Sequence, residues 1–232
     1  MSYIKENLEG VRQGIKAAAE GCGRKKSDVR LIAVTKTYGA ELINEAIDCG
    51  VTDIGENRVQ EILEKYDSVK PVRWHLIGHL QKNKVKYIID KVEMIHSVDS
   101  LDLAKEIDRR AAKIGKVQKI LLEVNVSGEE SKFGIKPDEC AELCREIAQL
   151  KNTEIHGLMT VAPYTDDKEL LKEIFRRLKQ ISLDISAEKM DTVYMDELSM
   201  GMTNDYELAI AEGATMVRVG TGIFGKRDYG IK

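Results

Sequence analysis

Proline, cysteine and long apolar runs are scarce in this sequence. It has only three prolines in 232 residues and no proline-rich or glycine/serine-rich run that could act as a linker, so we expect one domain over residues 1–232. The four cysteines, Cys22, Cys49, Cys140 and Cys144, form no CxxC pair and show no dense disulfide spacing. We therefore expect reduced thiols, and we interpret Cys140 and Cys144, one helical turn apart, as buried structural thiols.

An excess of charge of one sign is also lacking. The 36 basic and 39 acidic residues are interleaved and give a net charge of −3, which excludes a general attraction to nucleic acid. No apolar run approaches the roughly 20 residues that a membrane helix needs. The opening stretch, MSYIKENLEG, is too polar for a signal peptide. We therefore expect a cytoplasmic protein with neither nucleic-acid nor membrane partners.

Strand-like apolar runs alternate with amphipathic helical patterns along the chain. A first helix places Ile4, Leu8, Val11 and Ile15 on one apolar stripe. Eight strand-like runs follow: VRLIAVTK (29–36), TDIGEN (52–57), RWHLIG (73–78), EMIHSVD (93–99), KILLEVN (119–125), EIHGLMT (154–160), TVYMDELS (192–199) and MVRVGTGIF (216–224). Nearly continuous apolar strands separated by helices favour a parallel sheet that is covered on both faces.

The number of repeats indicates the fold. Eight βα repeats in about 230 residues predict a single (β/α)₈ TIM barrel with an extra N-terminal helix. The connection HLQKNKVKYIID is short for a full helix, and the seventh run has the weakest strand pattern. A doubly wound open sheet is therefore the main alternative.

Polar residues stand at the ends of the apolar runs, where a barrel carries its functional site. The first of them, Lys36, ends a strand of β-formers. An ammonium group beside apolar walls is desolvated, which lowers its pKa and frees neutral amine to attack a carbonyl. The alternative is a lysine in a salt bridge with a rim carboxylate such as Glu56.

Two loops near the end of the chain suggest a phosphate site. SMGMTND (199–205) brings small and hydroxyl residues to a helix predicted to start near Thr203, and RVGTGIFG (218–225) places Gly220, Thr221 and Gly222 after the eighth strand. The loops after strands seven and eight of such barrels frequently bind phosphate. A lysine beside a phosphate site suggests either pyridoxal 5′-phosphate or a phosphorylated sugar substrate of an aldolase.

A set of motifs closely resembles the pyridoxal phosphate homeostasis family, in register from about Leu31 to Tyr229: AVTKTYG, GENRVQE, HLIGHLQKNKVK, HSVDS, ESKFGI, HGLMT, LSMGMTNDYELAI and VRVGTGIFGKRDY. The resemblance implies a barrel like the N-terminal domain of bacterial alanine racemase, with pyridoxal 5′-phosphate as cofactor. On the family pattern, Lys36 carries the cofactor as a Schiff base and Asn57 lies beside its pyridine ring.

The same resemblance implies the remaining site residues. Arg218 would face the cofactor, either at the ring nitrogen or at the phosphate. His79 belongs to the family's IGHLQ stretch, without an assigned contact. The residues implied for the phosphate and the wall of its site are Ser199, Met200, Gly201, Met202, Gly220 and Thr221.

Cofactor binding is a better expectation than turnover. An arginine at the pyridine nitrogen keeps that nitrogen unprotonated, which makes the ring a weaker electron sink. Racemisation needs an acid/base on each face of the substrate carbon, and the racemase takes its second base from an additional domain that we do not expect here; Tyr38 and Tyr164 are conceivable substitutes. The expected function is therefore intracellular pyridoxal phosphate homeostasis by buffering or delivery, with indirect effects on amino acid and keto acid metabolism and no catalytic residue.

Alternatives and partners complete these expectations. A weak racemase, lyase or Schiff-base aldolase using Lys36 is the alternative function, and a barrel that binds no cofactor is a third. Pyridoxal phosphate-dependent apoenzymes are the candidate recipients, and we expect a monomer. We expect no metal site, because His75 lies inside an apolar strand, where a hydrogen-bonded core histidine is more common than a ligand.

Overall fold

The computed structural model describes residues 2–225 as a closed barrel of eight parallel strands, each paired with the next and the eighth with the first. The strands are β1 Arg30–Val34, β2 Asp53–Glu56, β3 Arg73–Leu76, β4 Met94–Val98, β5 Gln118–Glu123, β6 Thr153–Met159, β7 Val193–Met202 and β8 Met216–Val219. The predicted TIM barrel is confirmed, and the open-sheet alternative is wrong. The predicted domain, 1–232, and the last four residues of the VRVGTGIFGKRDY motif, 226–229, extend outside the described residues.

Helices cover the outside of the barrel. They are α1 Tyr3–Gly21, α2 Ala40–Asp48, α3 Val59–Lys65, α4 Leu101–Ala112, α5 Cys140–Ile147, α6 Lys168–Ala187, α7 Tyr206–Ala211 and α8 Thr221–Phe224. The predicted N-terminal helix is α1, which is capped by the Ser2 side chain and contacts α7 and α8. Within residues 2–225, no helix is both long enough and apolar enough to cross a membrane.

The apolar core has two parts because successive residues of a barrel strand point alternately inward and outward. The larger part lies between the strands and the helices and includes Cys140 and Cys144, which are buried as predicted. A small cluster fills part of the interior: Ile32, Met94, Leu121, Met159 and Met216. Other inward positions hold buried polar side chains: Asp53, His75, His96, Ser199 and Arg218. This interior differs from the usual filling of bulky branched residues.

Two local predictions need correction. The eighth strand ends at Val219, because β8 pairs with only four residues of β1, and residues 221–224 form α8. The helix expected near Thr203 begins at Tyr206. The β3–β4 connection, which the sequence indicates is short for a full helix, contains a 3₁₀ segment, Lys82–Tyr87.

The seventh strand, whose sequence pattern was weakest, spans ten residues. Its pairing with both neighbours is interrupted by shifts of register, and Met195 and Gly201 have φ values of 52° and 90°. These irregularities break the period-two pattern by which a strand is recognised in sequence.

Gly201 should be essential for the packing of β7 against α7. An added Cβ would lie 2.6 Å from Cβ of Ala209 and 2.9 Å from Cα of Tyr206, whereas at Gly115, with φ 63°, it would meet no atom within 4 Å. We expect Gly201→Ala to lower the free energy of unfolding by about 3 kcal/mol, through backbone strain and overlap, and Gly115→Ala by about 1 kcal/mol, through strain alone. Urea denaturation followed by circular dichroism measures both. Equal losses would show that the β7–α7 approach is not tight.

Candidate functional site

A cavity of about 480 Å³ lies at the C-terminal ends of the strands. The structure brings six predicted site residues to its wall: Lys36, Asn57, Met202, Arg218, Gly220 and Thr221. Further lining comes from Val34 and Ile77 at the strand ends and from the loops after β6 and β7: Val161, Pro163, Tyr164, Thr165, Thr203, Asn204 and Asp205. A cavity of this volume is typical of a site for a small organic molecule.

The other predicted site residues are not among those lining this cavity. Ser199 and Met200 are fully buried in the barrel, and Gly201 packs against α7. His79 is exposed elsewhere on the rim, where its ring stacks on Phe133 with 4.0 Å between centroids. Cofactor contacts of these four residues remain predictions.

Lys36 follows β1 in a turn whose preceding residue is firmly held. Thr35 donates from Oγ1 to Glu56 Oε1 over 2.7 Å, and its carbonyl accepts from Lys65 Nζ over 3.0 Å. Glu56 forms an ion pair with Lys65, with 2.8 Å between Oε1 and Nζ. Burial raises the pKa of Glu56, and the bonds from Lys65 and Thr35 oppose that rise.

The residue after Lys36 is strained. Thr37 has a φ of 71°, in the left-handed region that β-branched residues avoid. Its N–H donates to Glu61 Oε2 over 2.6 Å, and Lys65 Nζ donates to the same oxygen over 2.7 Å. Lys65 and its two carboxylate partners therefore fix the backbone on both sides of Lys36.

Arg218 is a buried cation at the floor of the cavity. Its side chain donates from Nη1 to Ser199 Oγ over 2.6 Å and from Nη2 to the carbonyl of Thr160 over 2.8 Å. Burial lowers the pKa of Arg218 to about 10, while Asp205 and Glu123 oppose that fall. The guanidinium therefore stays charged at neutral pH, and the residue is only 4% exposed.

Below Arg218, hydrogen bonds continue through the barrel. Ser199 Oγ lies 3.0 Å from His96 Nδ1, His96 Nε2 lies 2.9 Å from His75 Nδ1, and His75 Nε2 lies 3.0 Å from Asp53 Oδ1. We call these residues, Asp53, His75, His96, Ser199 and Arg218, the interior polar chain. His75 is thus a hydrogen-bonded core histidine, as predicted.

The two glycine-containing loops meet beside the cavity. Thr221 Oγ1 lies 3.2 Å from Thr203 Oγ1. A Cβ added at Gly222 would lie only 3.1 Å from Thr203 Cγ2, so the absence of a side chain at Gly222 allows this close approach. Asp205 holds the loop after β7 by accepting from the N–H of Met202 over 2.5 Å. Burial raises the pKa of Asp205, which that hydrogen bond and Arg218 oppose.

Sequence reasoning missed Asp205 and Glu123, the acidic residues near Arg218. Asp205 is the last residue of the SMGMTND motif, and Glu123 lies two residues before the end of the KILLEVN run. Glu123 is 9% exposed, and its Oε2 has no hydrogen-bond partner within residues 2–225. Burial raises the pKa of Glu123 to about 7, with Asp99 adding to the rise and Arg218 opposing it. The sequence signal that could have identified Glu123 is an acidic residue at the end of an otherwise apolar strand.

Glu123 should make the stability of the protein depend on pH. Its pKa is about 7 in the folded state against an ordinary 4.5, so between these values the folded state keeps a proton that the unfolded chain has lost. Stability therefore falls as pH rises through this window, by about 3 kcal/mol in total. We expect Glu123→Gln to be more stable than wild type at pH 8.5 by about 2 to 3 kcal/mol and to match it at pH 4.5, as measured by urea denaturation.

A matched control is Glu93→Gln. Glu93 accepts from Lys119 over 2.7 Å, which lowers the pKa of Glu93, so its loss should destabilise the protein at pH 8.5. A Glu123→Gln variant with the pH profile of the wild type would contradict the assigned ionisation.

Comparison with known proteins identifies close relatives. Residues 7–228 match the family described as alanine racemase, N-terminal domain. The pyridoxal phosphate homeostasis protein of Aquifex aeolicus is 45% identical over 97% of this chain and 98% of its own length. A crystal structure of an unknown protein from Bifidobacterium adolescentis has a TM-score of 0.91 and 41% identity over 96% of this chain and 94% of that one.

A further similar structure is that of a protein with a bound ligand. PipY of Synechococcus elongatus, described with pyridoxal phosphate bound, has a TM-score of 0.83 and 34% identity over 96% of this chain and 100% of that one. The family match spans residues 7–228, and the sequence identity to these relatives likewise extends over nearly the full length of the chain. This chain therefore belongs to the pyridoxal phosphate homeostasis protein family.

Proposed function

We propose that this protein binds pyridoxal 5′-phosphate through Lys36 and acts in intracellular pyridoxal phosphate homeostasis by buffering or delivering the cofactor. The observation that carries the proposal is the convergence of Lys36, Asn57 and the buried Arg218 on one cavity. PipY, a relative of similar length, is described with this cofactor bound. Effects on amino acid and keto acid metabolism would follow indirectly from the level of free cofactor.

The residues around the cavity fit the cofactor. When bound, pyridoxal phosphate supplies an aldehyde that condenses with a primary amine. Lys36 presents such an amine, and the clamped turn around it limits where the amine can go. At the rim, the hydroxyl groups of Thr203 and Thr221 and the backbone at Gly220 would hold the phosphate.

Arg218 suits the ring nitrogen better than the phosphate. It lies in the barrel interior, whereas Thr203 lies in the loop after β7 and Thr221 is the first residue of α8. A guanidinium has five N–H donors, and two of its nitrogens already donate to Ser199 and Thr160. The remaining donors would keep the ring nitrogen unprotonated, which weakens the ring as an electron sink and favours holding over carbanion chemistry.

The two tyrosines considered as a second base also support holding. Tyr38 donates its hydroxyl to the carbonyl of Gly225 over 2.9 Å and stacks on Phe224 with 4.7 Å between centroids. Tyr164 lines the cavity but is 94% exposed. The Tyr38 hydroxyl already donates to a backbone carbonyl, and the Tyr164 side chain lies in water, so neither arrangement is that of a catalytic base.

We also place the protein in the cytoplasm as a monomer, with pyridoxal phosphate-dependent apoenzymes as recipients of the cofactor. Each of the four cysteines is a free thiol, which suits a reducing compartment.

Replacement of Lys36 tests the proposed anchor. Wild-type protein reconstituted with pyridoxal phosphate should show a visible absorption band, and borohydride reduction followed by peptide mass mapping should place the pyridoxyl group on Lys36. Lys36→Ala should lose the band, because the amine that forms the covalent bond is gone, while Lys84→Ala, on the β3–β4 connection, should keep it. A wild-type protein that stays colourless would refute the proposal and favour the aldolase alternative.

Steady-state assays distinguish holding from turnover. The reconstituted protein should consume amino acids and sugar phosphates far more slowly than the 1 to 10³ s⁻¹ that is common for enzymes. Consumption of any such substrate at an ordinary enzymatic rate, abolished in Lys36→Ala, would establish a racemase, lyase or aldolase instead.

A further inference from the structure

We infer that Asp53, His75, His96 and Ser199 are positioning residues for Arg218, so that groups near the N-terminal mouth of the barrel act on the ligand at its C-terminal mouth. The inference rests on the proposed function, because it concerns how Arg218 meets the bound cofactor. It goes beyond that function by assigning a role to a buried histidine pair that does not line the cavity.

Asp53 sets the direction of the chain. A carboxylate only accepts hydrogen bonds, and Asp53 accepts from Arg73, with 2.8 Å from Nε and 2.6 Å from Nη2. Burial acts to raise the pKa of Asp53, but hydrogen bonds from His75, Arg73 and Thr52 hold it well below its usual range. Asp53 is therefore ionised at neutral pH, and His75 must carry its hydrogen on Nε2.

The remaining bonds follow one after another. If His75 carries a single N–H, on Nε2, then its Nδ1 accepts and His96 must donate from Nε2. Nδ1 of His96 then accepts from the hydroxyl of Ser199. The hydroxyl oxygen of Ser199 is left to accept from Arg218. Every donor in the interior polar chain therefore points from Arg218 towards Asp53. Each hydrogen bond determines whether the next group donates or accepts.

Adding a proton to the chain breaks this order. If His96 were also protonated on Nδ1, both it and Arg218 would donate to Ser199, and a second cation would lie beside the guanidinium. Burial, together with His75 and Arg218, lowers the pKa of His96 well below its ordinary value. The geometry at Ser199 and the lowered pKa thus both favour a neutral His96 and a single orientation of the interior polar chain.

The consequence concerns the guanidinium plane. Ser199 holds Nη1 and the carbonyl of Thr160 holds Nη2, so two bonds fix the plane and aim the unused donors. Without Ser199 in its accepting role, Arg218 could turn towards the acidic Asp205 or Glu123, which already influence its charge. A change at Asp53 or His75 should therefore reach the ligand through Arg218.

The test uses two substitutions remote from the cavity, Asp53→Asn and His75→Gln, with Ser199→Ala as the link nearest Arg218. Each should weaken pyridoxal phosphate binding about tenfold and shift the pH midpoint of the bound cofactor's absorption band, because Arg218 is no longer held in one orientation. The control is His156→Gln. His156 belongs to β6, pairs with Glu154 and Asp196, and is not part of the interior polar chain, so its replacement should leave the affinity and the pH midpoint unchanged. Circular dichroism shows which variants are folded.

A measurement on the wild type keeps the inference testable if the variants fail to fold. The sequence has four histidines, and ¹⁵N spectra of histidine-labelled protein should show His75 and His96 as neutral rings protonated on Nε2. An imidazolium, or a proton on Nδ1 of either ring, would refute the order of donors and acceptors in the interior polar chain. Folded Asp53→Asn and His75→Gln proteins with wild-type affinity and absorption would overturn only the positioning role, whereas a wild type that binds no pyridoxal phosphate would refute the proposed function as well.

Discussion

The burial of one positive charge, the guanidinium of Arg218, is the constraint on which the barrel interior depends. A cation removed from water is costly unless hydrogen bonds and opposite charges replace its hydration. Here Ser199 and the Thr160 carbonyl supply the hydrogen bonds, and Asp205 and Glu123 supply the charge. The branched apolar side chains that usually fill a barrel cannot accept hydrogen bonds or offset a charge. This explains why polar side chains occupy so many inward positions.

A second group of charges outside the barrel orders the turn that carries Lys36. Lys65 bridges Glu56 and Glu61, and through them holds Thr35 and the strained Thr37. Strain of this kind persists only where the surroundings over-determine it, and it clusters at functional positions. The backbone on both sides of Lys36 and the guanidinium of Arg218 are thus both held by contacts with residues that do not line the cavity.

The sequence was sufficient for the fold because eight apolar runs and the helices between them are local patterns. It was also sufficient for six of the residues that line the cavity, since each stands at a strand end or in one of the last two motifs, SMGMTND and RVGTGIFG. It was insufficient for Ser199, which faces inward only because the irregular pairing of β7 sets its direction. The partnership of His75 with His96 depends on contacts between neighbouring strands, and the ionisation of Glu123 depends on burial, neither of which is written in a local pattern.

The pairing of β1 with β8 has a consequence for the order of assembly. Ile32 of β1 lies opposite Arg218 of β8, and Asn7 of α1 donates to the carbonyl of Ile223 over 2.9 Å, so early and late parts of the chain meet at one seam. Lys36 and Arg218 face the same cavity from the two sides of that seam. During synthesis, the amine leaves the ribosome long before the guanidinium, and the two come together only when the last strand closes the ring. If both groups bind the ligand as proposed, joint binding requires the closed barrel, and a nascent chain that still lacks β8 offers only one of the two groups.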